Sequence, residues 1–170
     1  MSTPLLATKL YVPPPRPEIV PRPRLLQRLD EGLRLGHRLT LISAPAGFGK
    51  TTLLSAWVRS LQQPVSWLSL DEADDELHRF LTYLVAALQK TDDLIGQAMQ
   101  DLWEAPERLP IDRLMIGLIN SIAAVPTPIV LILDDYQAIG QPEIHQVMTF
   151  LLDHCPPQMH LIIASREDPP

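Results

Sequence analysis

From Leu39 onward the apolar residues alternate between two spacings. Residues 39–43 (L-T-L-I-S), 65–70 (V-S-W-L-S-L), 129–133 (I-V-L-I-L) and 161–164 (L-I-I-A) are short, largely apolar runs and predict buried strands. Between them the period lengthens to that of a helix. Residues 50–60 form one such segment. In a second, Leu77, Phe80, Leu81, Leu84, Ala87 and Leu88 share a face, with Asp74 or Asp75 placed to cap it. Leu114, Met115, Leu118, Ile119 and Ile122 mark a helix over 111–124, and Ile144, Val147, Met148, Leu151 and Leu152 mark another, ended by Pro156-Pro157. A short helix over 24–35 precedes the first strand, and the polar stretch 91–109 has room for one more. Strands separated by helices predict an α/β fold with a parallel, doubly wound sheet.

Ahead of this pattern, seven of the 18 prolines fall before residue 24, so residues 1–23 read as an extended arm and residues 24–170 as one domain. The arm turns basic where it meets the domain, through Arg16, Arg22, Arg24 and Arg28. These arginines are either the solvated face of a linker or a cationic approach to a bound ligand.

At 170 residues, 46% hydrophobic and 20% charged, the chain is long enough to bury a core and too apolar for a disordered segment. No run of 18 apolar residues exists and no signal-peptide core opens the chain, so a cytoplasmic address is expected. A net charge of −6 argues against the segment coating nucleic acid or binding DNA directly. Cys155 is the single cysteine, which excludes an internal disulfide.

The chemistry concentrates in residues 44–51, A-P-A-G-F-G-K-T, after a predicted strand and opening a predicted helix. That is the context of a phosphate-binding loop. Gly47 and Gly49 let the backbone of Pro45, Ala46, Gly47, Phe48 and Gly49 wrap a phosphate chain, with the N–H groups of all but Pro45 turned inward, and the helix start adds its positive end. Lys50 would reach the β- and γ-phosphates, the Thr51 hydroxyl would hold Mg²⁺, and Thr52 would lie near the α-phosphate. The apolar run 129–133 ends in Asp134, a Mg²⁺ ligand through water, and Asp135, placed to orient or deprotonate an attacking water. The run 161–164 leads into Ser165-Arg166, which can present a cation to the γ-phosphate. No N-K-x-D occurs and Asp134 opens D-D-Y-Q, so ATP is favoured over GTP. The acidic cluster Asp71, Glu72, Asp74, Asp75 and Glu76 reads as helix capping rather than a metal site.

The order T-K-L-Y-V-P-P-P-R, A-P-A-G-F-G-K-T-T-L, W-L-S-L-D-E-A-D-D-E-L-H-R-F-L-T-Y-L, L-I-L-D-D-Y and I-I-A-S-R resembles the nucleotide-binding domain of MalT-like, LuxR-type transcriptional regulators of the STAND class of signalling ATPases. The resemblance implies a three-layer P-loop NTPase fold and an ATP/ADP switch with Mg²⁺. It further implies slow hydrolysis, self-association in the ATP state, and DNA binding through a separate C-terminal domain. It assigns phosphate binding to Lys50, Thr51 and Thr52, Mg²⁺ to Asp134, and the sensor arginine to Arg166. Val20-Pro21-Arg22 matches the stretch that flanks adenine in relatives. The family's further core strand and lid have no counterpart here, so this segment reads as a piece of a longer regulator with one flank of the first strand open. The competing readings are a small-molecule kinase, for which only Arg108 and Arg113 are available as mid-chain lid arginines, and a scaffold with a vestigial site.

Overall fold

Strands β1 (Leu39–Ser43), β2 (Val65–Ser69), β3 (Ile129–Asp134) and β4 (Met159–Ser165) form one parallel sheet in the order β1-β4-β3-β2. The computed structural model describes residues 4–104, 106 and 109–170. β3 and β4 occupy the middle and are buried along their whole length. A parallel strand covered on both faces has no solvent side for polar residues, which is why both read as nearly unbroken apolar runs.

The helices lie in two layers. α1 (Pro23–Arg34) and α2 (Lys50–Ser60) cover one face, where Leu29, Leu54 and Trp57 pack on Trp67, Val130, Ile132, Ile162 and Ala164. α3 (Leu77–Gln89), α4 (Asp93–Trp103), α5 (Ile111–Ala124) and α6 (Pro142–Asp153) cover the other, packing on Leu68, Leu131, Leu133, Leu161 and Ile163. Successive β3 residues therefore alternate between the two cores, as the two-residue period of a strand requires. Each large side chain so buried contributes about 1.5–3 kcal/mol. The Trp57 indole N–H also donates to Asp30 Oδ1 at 2.8 Å, tying α2 to α1.

The two edges of the sheet differ. β1 pairs with β4 alone, and Leu39 and Leu41 are exposed at 39% and 41%. β2, at the other edge, is met by the start of the chain. Residues 1–23 were expected to be extended throughout. Instead Ala7–Leu10 make one turn of 3-10 helix beside β2 and α3. The residues between Pro4 and Pro13 carry backbone N–H groups and can close such a turn. Lys9 from that turn is buried against Asp71 (2.8 Å) and Asp74. Pro23 in turn is the first residue of α1, where its missing N–H costs nothing.

The helix after β2 is capped by Glu76, whose carboxylate accepts from His78 N–H (3.0 Å) and Arg79 N–H (2.8 Å), and not by Asp74 or Asp75. A capping side chain must sit directly before the first helical residue, and the two aspartates are engaged elsewhere. Asp74 is wholly buried between Lys9 and Arg79 (3.1 Å to its Nε) and closes a capping box with Asp71. Asp75 accepts the N–H groups of Gly140 (2.9 Å) and Gln141 (2.8 Å), ahead of α6. The helix left open within 91–109 is α4, capped by Asp92.

Candidate functional site

Parallel pairing sets the carboxyl ends of the strands side by side. Ser43 stands opposite Ser165 and Ser69 opposite Asp134, so the loops after β1, β3 and β4 open on one rim. The loop after β1 begins where the Ala44 N–H donates to Ser165 O at 3.2 Å. It turns through Gly47 at φ 84° and Gly49 at φ 79°, a left-handed conformation that glycine adopts without the clash a Cβ would bring. Nothing lies within 4 Å of where a Cβ on Gly47 would stand, so the backbone there faces open space. Pro45, Ala46, Gly47 and Phe48 are exposed on its outside.

Lys50 opens α2 and is turned back under this loop, its ammonium donating to the carbonyls of Ala44 and of Pro45 (3.1 Å). A buried cation is thereby held against the loop carbonyls, close enough to the Asp134 carboxylate to favour its charged form. Thr51 follows, and its hydroxyl donates to Asp134 Oδ2 at 2.7 Å. Thr52 lies one residue further along the same turn and lines a cavity described below.

Asp134 ends β3 at 2% exposure. Burial pushes its carboxyl above the ordinary carboxylate range, outweighing the hydrogen bond from Thr51 that acts in the opposite sense. Its other oxygen accepts the Asp135 N–H at 3.0 Å. Asp135 is the one described non-glycine residue at positive φ (58°), and the loop that follows reaches back to it: Gln137 Nε2 donates to Asp135 Oδ1 at 2.9 Å. Tyr136 beneath it is buried, its phenol pushed up to about 12 by desolvation and paired with His145 Nδ1 at 3.0 Å.

Arg166 follows β4 on the same rim. Its backbone N–H donates to Gln137 Oε1 at 3.0 Å while its side chain is exposed and in no ion pair among the described residues. From the arm side, Arg22 Nη1 donates to Phe48 O at 3.0 Å, which lays this guanidinium across the phosphate-loop tip. Arg16 and residues 18–22 then wall a cavity of about 190 Å³ with Gly49 and with Thr52, Leu53 and Ala56 of α2. The structure thus gathers Arg22, residues 45–52, Asp134 and Asp135 around one loop, with Arg166 on the neighbouring strand end.

Residues 22–163 match the family model described as the AAA ATPase domain. The chain belongs to that family. This ATPase domain is 36% identical over 165 residues to the HTH-type transcriptional regulator MalT of Cronobacter sakazakii, covering 97% of this chain and 18% of that protein. It is 37% identical over 166 residues to MalT of Yersinia enterocolitica, covering 98% and 18%. The chain therefore spans less than a fifth of the length of these relatives. Among solved structures, the ATPase domain is similar to Cdc6p of Pyrobaculum aerophilum (TM-score 0.61, 16% identity, 93% of this chain and 41% of that one). A Walker-type ATPase of Pyrococcus abyssi matches with TM-score 0.54, at 16% identity over 89% and 47%. These two likenesses support the parallel, helix-flanked P-loop fold.

Membership of the AAA family implies nucleotide binding, and the donor set fits a nucleotide with Mg²⁺. An open glycine cradle, a buried ammonium and a helix start are arranged for phosphate oxygens. One hydroxyl and one carboxylate stand ready for a cation whose other ligands come from phosphate and water. No group of three His, Cys, Asp or Glu side chains that could hold a metal ion is present among the described residues. No helix of the described residues is long and apolar enough to cross a membrane. Of the two mid-chain arginines that a phosphotransferase lid would use, Arg113 is exposed at the start of α5, and Arg108 lies outside the described residues.

Sequence reasoning did not find Gln137. Its partners lie 2 and 29 residues away, and the second contact exists only because β4 returns beside β3. It also missed the pairing of Lys9 with Asp74 across 65 residues.

Proposed function

We propose that this ATPase domain is the ATP/ADP-binding switch of a MalT-like transcriptional regulator, with slow hydrolysis setting its state. In the longer protein the ATP state would promote self-association, and DNA binding would belong to a domain outside this segment. The observation that carries the reading is Lys50 held inside the glycine loop while Thr51 joins that loop to the buried Asp134. In this reading Lys50 moves from the loop carbonyls to the β- and γ-phosphate oxygens, and the N–H groups of residues 46–50 take the remaining phosphate charge. Thr51 and, through water, Asp134 would hold Mg²⁺, which would supply charge neutralisation. Asp135 takes a proton from the attacking water as the water oxygen bonds to the γ-phosphorus and the bond to the β–γ bridging oxygen breaks, leaving ADP with the electron pair. Arg166 steadies the charge on the γ-phosphoryl oxygens. Arg22, with Arg16 and residues 18–21, flanks the base.

Calorimetric titration of ADP and ATP, each with Mg²⁺, into wild type and Lys50→Ala tests this reading. Binding by wild type and a loss of about 2–4 kcal/mol in the variant are expected, the range for stranding charged oxygens. A folded wild type that binds neither nucleotide would refute it.

A further inference from the structure

Gln137 spends both ends of its side-chain amide on the two candidate catalytic residues. Its Nε2 donates to Asp135 Oδ1 (2.9 Å) and its Oε1 accepts the Arg166 N–H (3.0 Å). This orientation is set by chemistry: a carboxylate only accepts and a backbone N–H only donates, so the reversed amide would face an acceptor with an acceptor and a donor with a donor. The Asp135 contact is charge-assisted and hence among the stronger hydrogen bonds of the rim. Arg166 is the first residue beyond β4, where its N–H has left the ladder and would otherwise lack a protein partner. Gln137 itself is held in the single turn of 3-10 helix Tyr136–Ala138, whose buried Tyr136 anchors it to α6 through His145. The Asp135 carboxylate and the backbone from which the Arg166 side chain departs are thus bridged by one side chain on a fixed base.

We propose that Gln137 is a positioning residue for hydrolysis: it aims the Asp135 carboxylate and registers it to the end of β4, so that the base and the arginine move as one unit. This deepens the reading given above and rests on Asp135 acting on the water. Gln137 makes its side-chain hydrogen bonds to Asp135 and Arg166 and does not line the cavity beside Arg22, so nucleotide affinity should not depend on it.

The test uses the 170-residue chain and three variants, Gln137→Leu, Gln137→Glu and Asp135→Asn. Gln137→Leu removes both contacts. Gln137→Glu keeps an acceptor for the Arg166 N–H and sets a second carboxylate against Asp135. Amide exchange at Arg166 without nucleotide, the Kd for ATP with Mg²⁺, and single-turnover hydrolysis are measured for each. For Gln137→Leu, exchange should quicken about tenfold or more, hydrolysis should fall about tenfold or more, and Kd should stay within about threefold. Gln137→Glu should retain Arg166 protection and still lose hydrolysis, which separates the two contacts and guards against a misfolded leucine variant. Wild-type hydrolysis in both Gln137 variants, with Asp135→Asn inactive, would overturn the positioning role alone. A Kd that rises as hydrolysis falls would also overturn it, as the mark of a merely structural side chain. An active Asp135→Asn, or a wild type that binds ATP without hydrolysing it, would remove the catalytic reading and this inference with it.

Discussion

The Thr51 hydroxyl lies 2.7 Å from Asp134 Oδ2, a contact that joins residues 83 apart in the chain. It brings the start of α2 and the end of β3 to one point, and it does so around a carboxylate that burial disfavours. A group of this kind raises the free energy of the nucleotide-free fold and is relieved by a cation.

Asp134→Asn should therefore separate stability from function. The amide keeps an acceptor for the Asp135 N–H, and its own N–H groups can donate to Thr51, whose hydroxyl accepts as readily as it donates. With the buried charge gone, the nucleotide-free variant should gain about 1 kcal/mol, or about 2–4 °C in Tm. The gain in nucleotide affinity that Mg²⁺ brings to wild type should vanish. Thermal melts and titrations with and without Mg²⁺ check both halves, and a lowered Tm would contradict the desolvation argument.

Lys9 fastens the arm to the body. Its ammonium meets Asp71 at 2.8 Å and the wholly buried Asp74, and it lies 4.9 Å from the centroid of the Tyr83 ring, whose hydroxyl accepts the Leu6 N–H at 3.0 Å. Lys9→Met leaves Asp74 in the interior with Arg79 and the Asp71 N–H as its remaining partners. A loss of about 2–3 kcal/mol is expected from denaturant melts, below the full cost of orphaning a buried charge because those partners persist. Lys9→Met combined with Asp74→Asn should recover part of the loss, since the uncompensated charge is then absent. No recovery would mean that packing, not charge, is what Lys9 supplies.

The same cluster predicts a pH dependence with a definite sign. The Lys9 hydrogen bond holds the Asp71 carboxyl below its usual range, against a smaller opposing effect of burial. A depressed carboxylate contributes stability above its unfolded value, and that contribution is lost as pH falls through the folded one. For Lys9 itself, burial acts against the ammonium, and the bonds to Asp71 and Asp74 outweigh it, leaving the group raised. Its contribution is complete below the ordinary lysine value and is lost as pH rises through the raised one. The stability difference between wild type and Lys9→Met should thus be flat near neutrality and shrink on both the acid and the alkaline side. Denaturant midpoints across that range measure it, and a difference that widens in acid would reverse the assignment.

Much of the site was legible in the linear pattern, for reasons that are local. A phosphate loop needs left-handed backbone at Gly47 and Gly49, a lysine and a hydroxyl directly after, and a strand before. All of these lie within one short stretch, so spacing alone declares them. The unbroken apolar runs of β3 and β4 likewise announced central parallel strands, because burial on both faces leaves no other composition. From these the sequence by itself determined the fold class, the phosphate loop and the acid that closes it.

Contacts between distant segments were decided only by the tertiary structure. Which of Asp71, Asp74, Asp75 and Glu76 caps a helix, which takes a buried lysine and which reaches to Gly140 cannot be read from five acidic residues in a row of six. Their roles depend on what the arm and the loop after β3 bring beside them. Gln137 is the same case, an ordinary turn residue until β4 folds back and places the Arg166 N–H within its reach. Local backbone demands are written in neighbouring residues, whereas the partner of a polar side chain is set by whichever buried donor or acceptor the packed chain leaves unsatisfied.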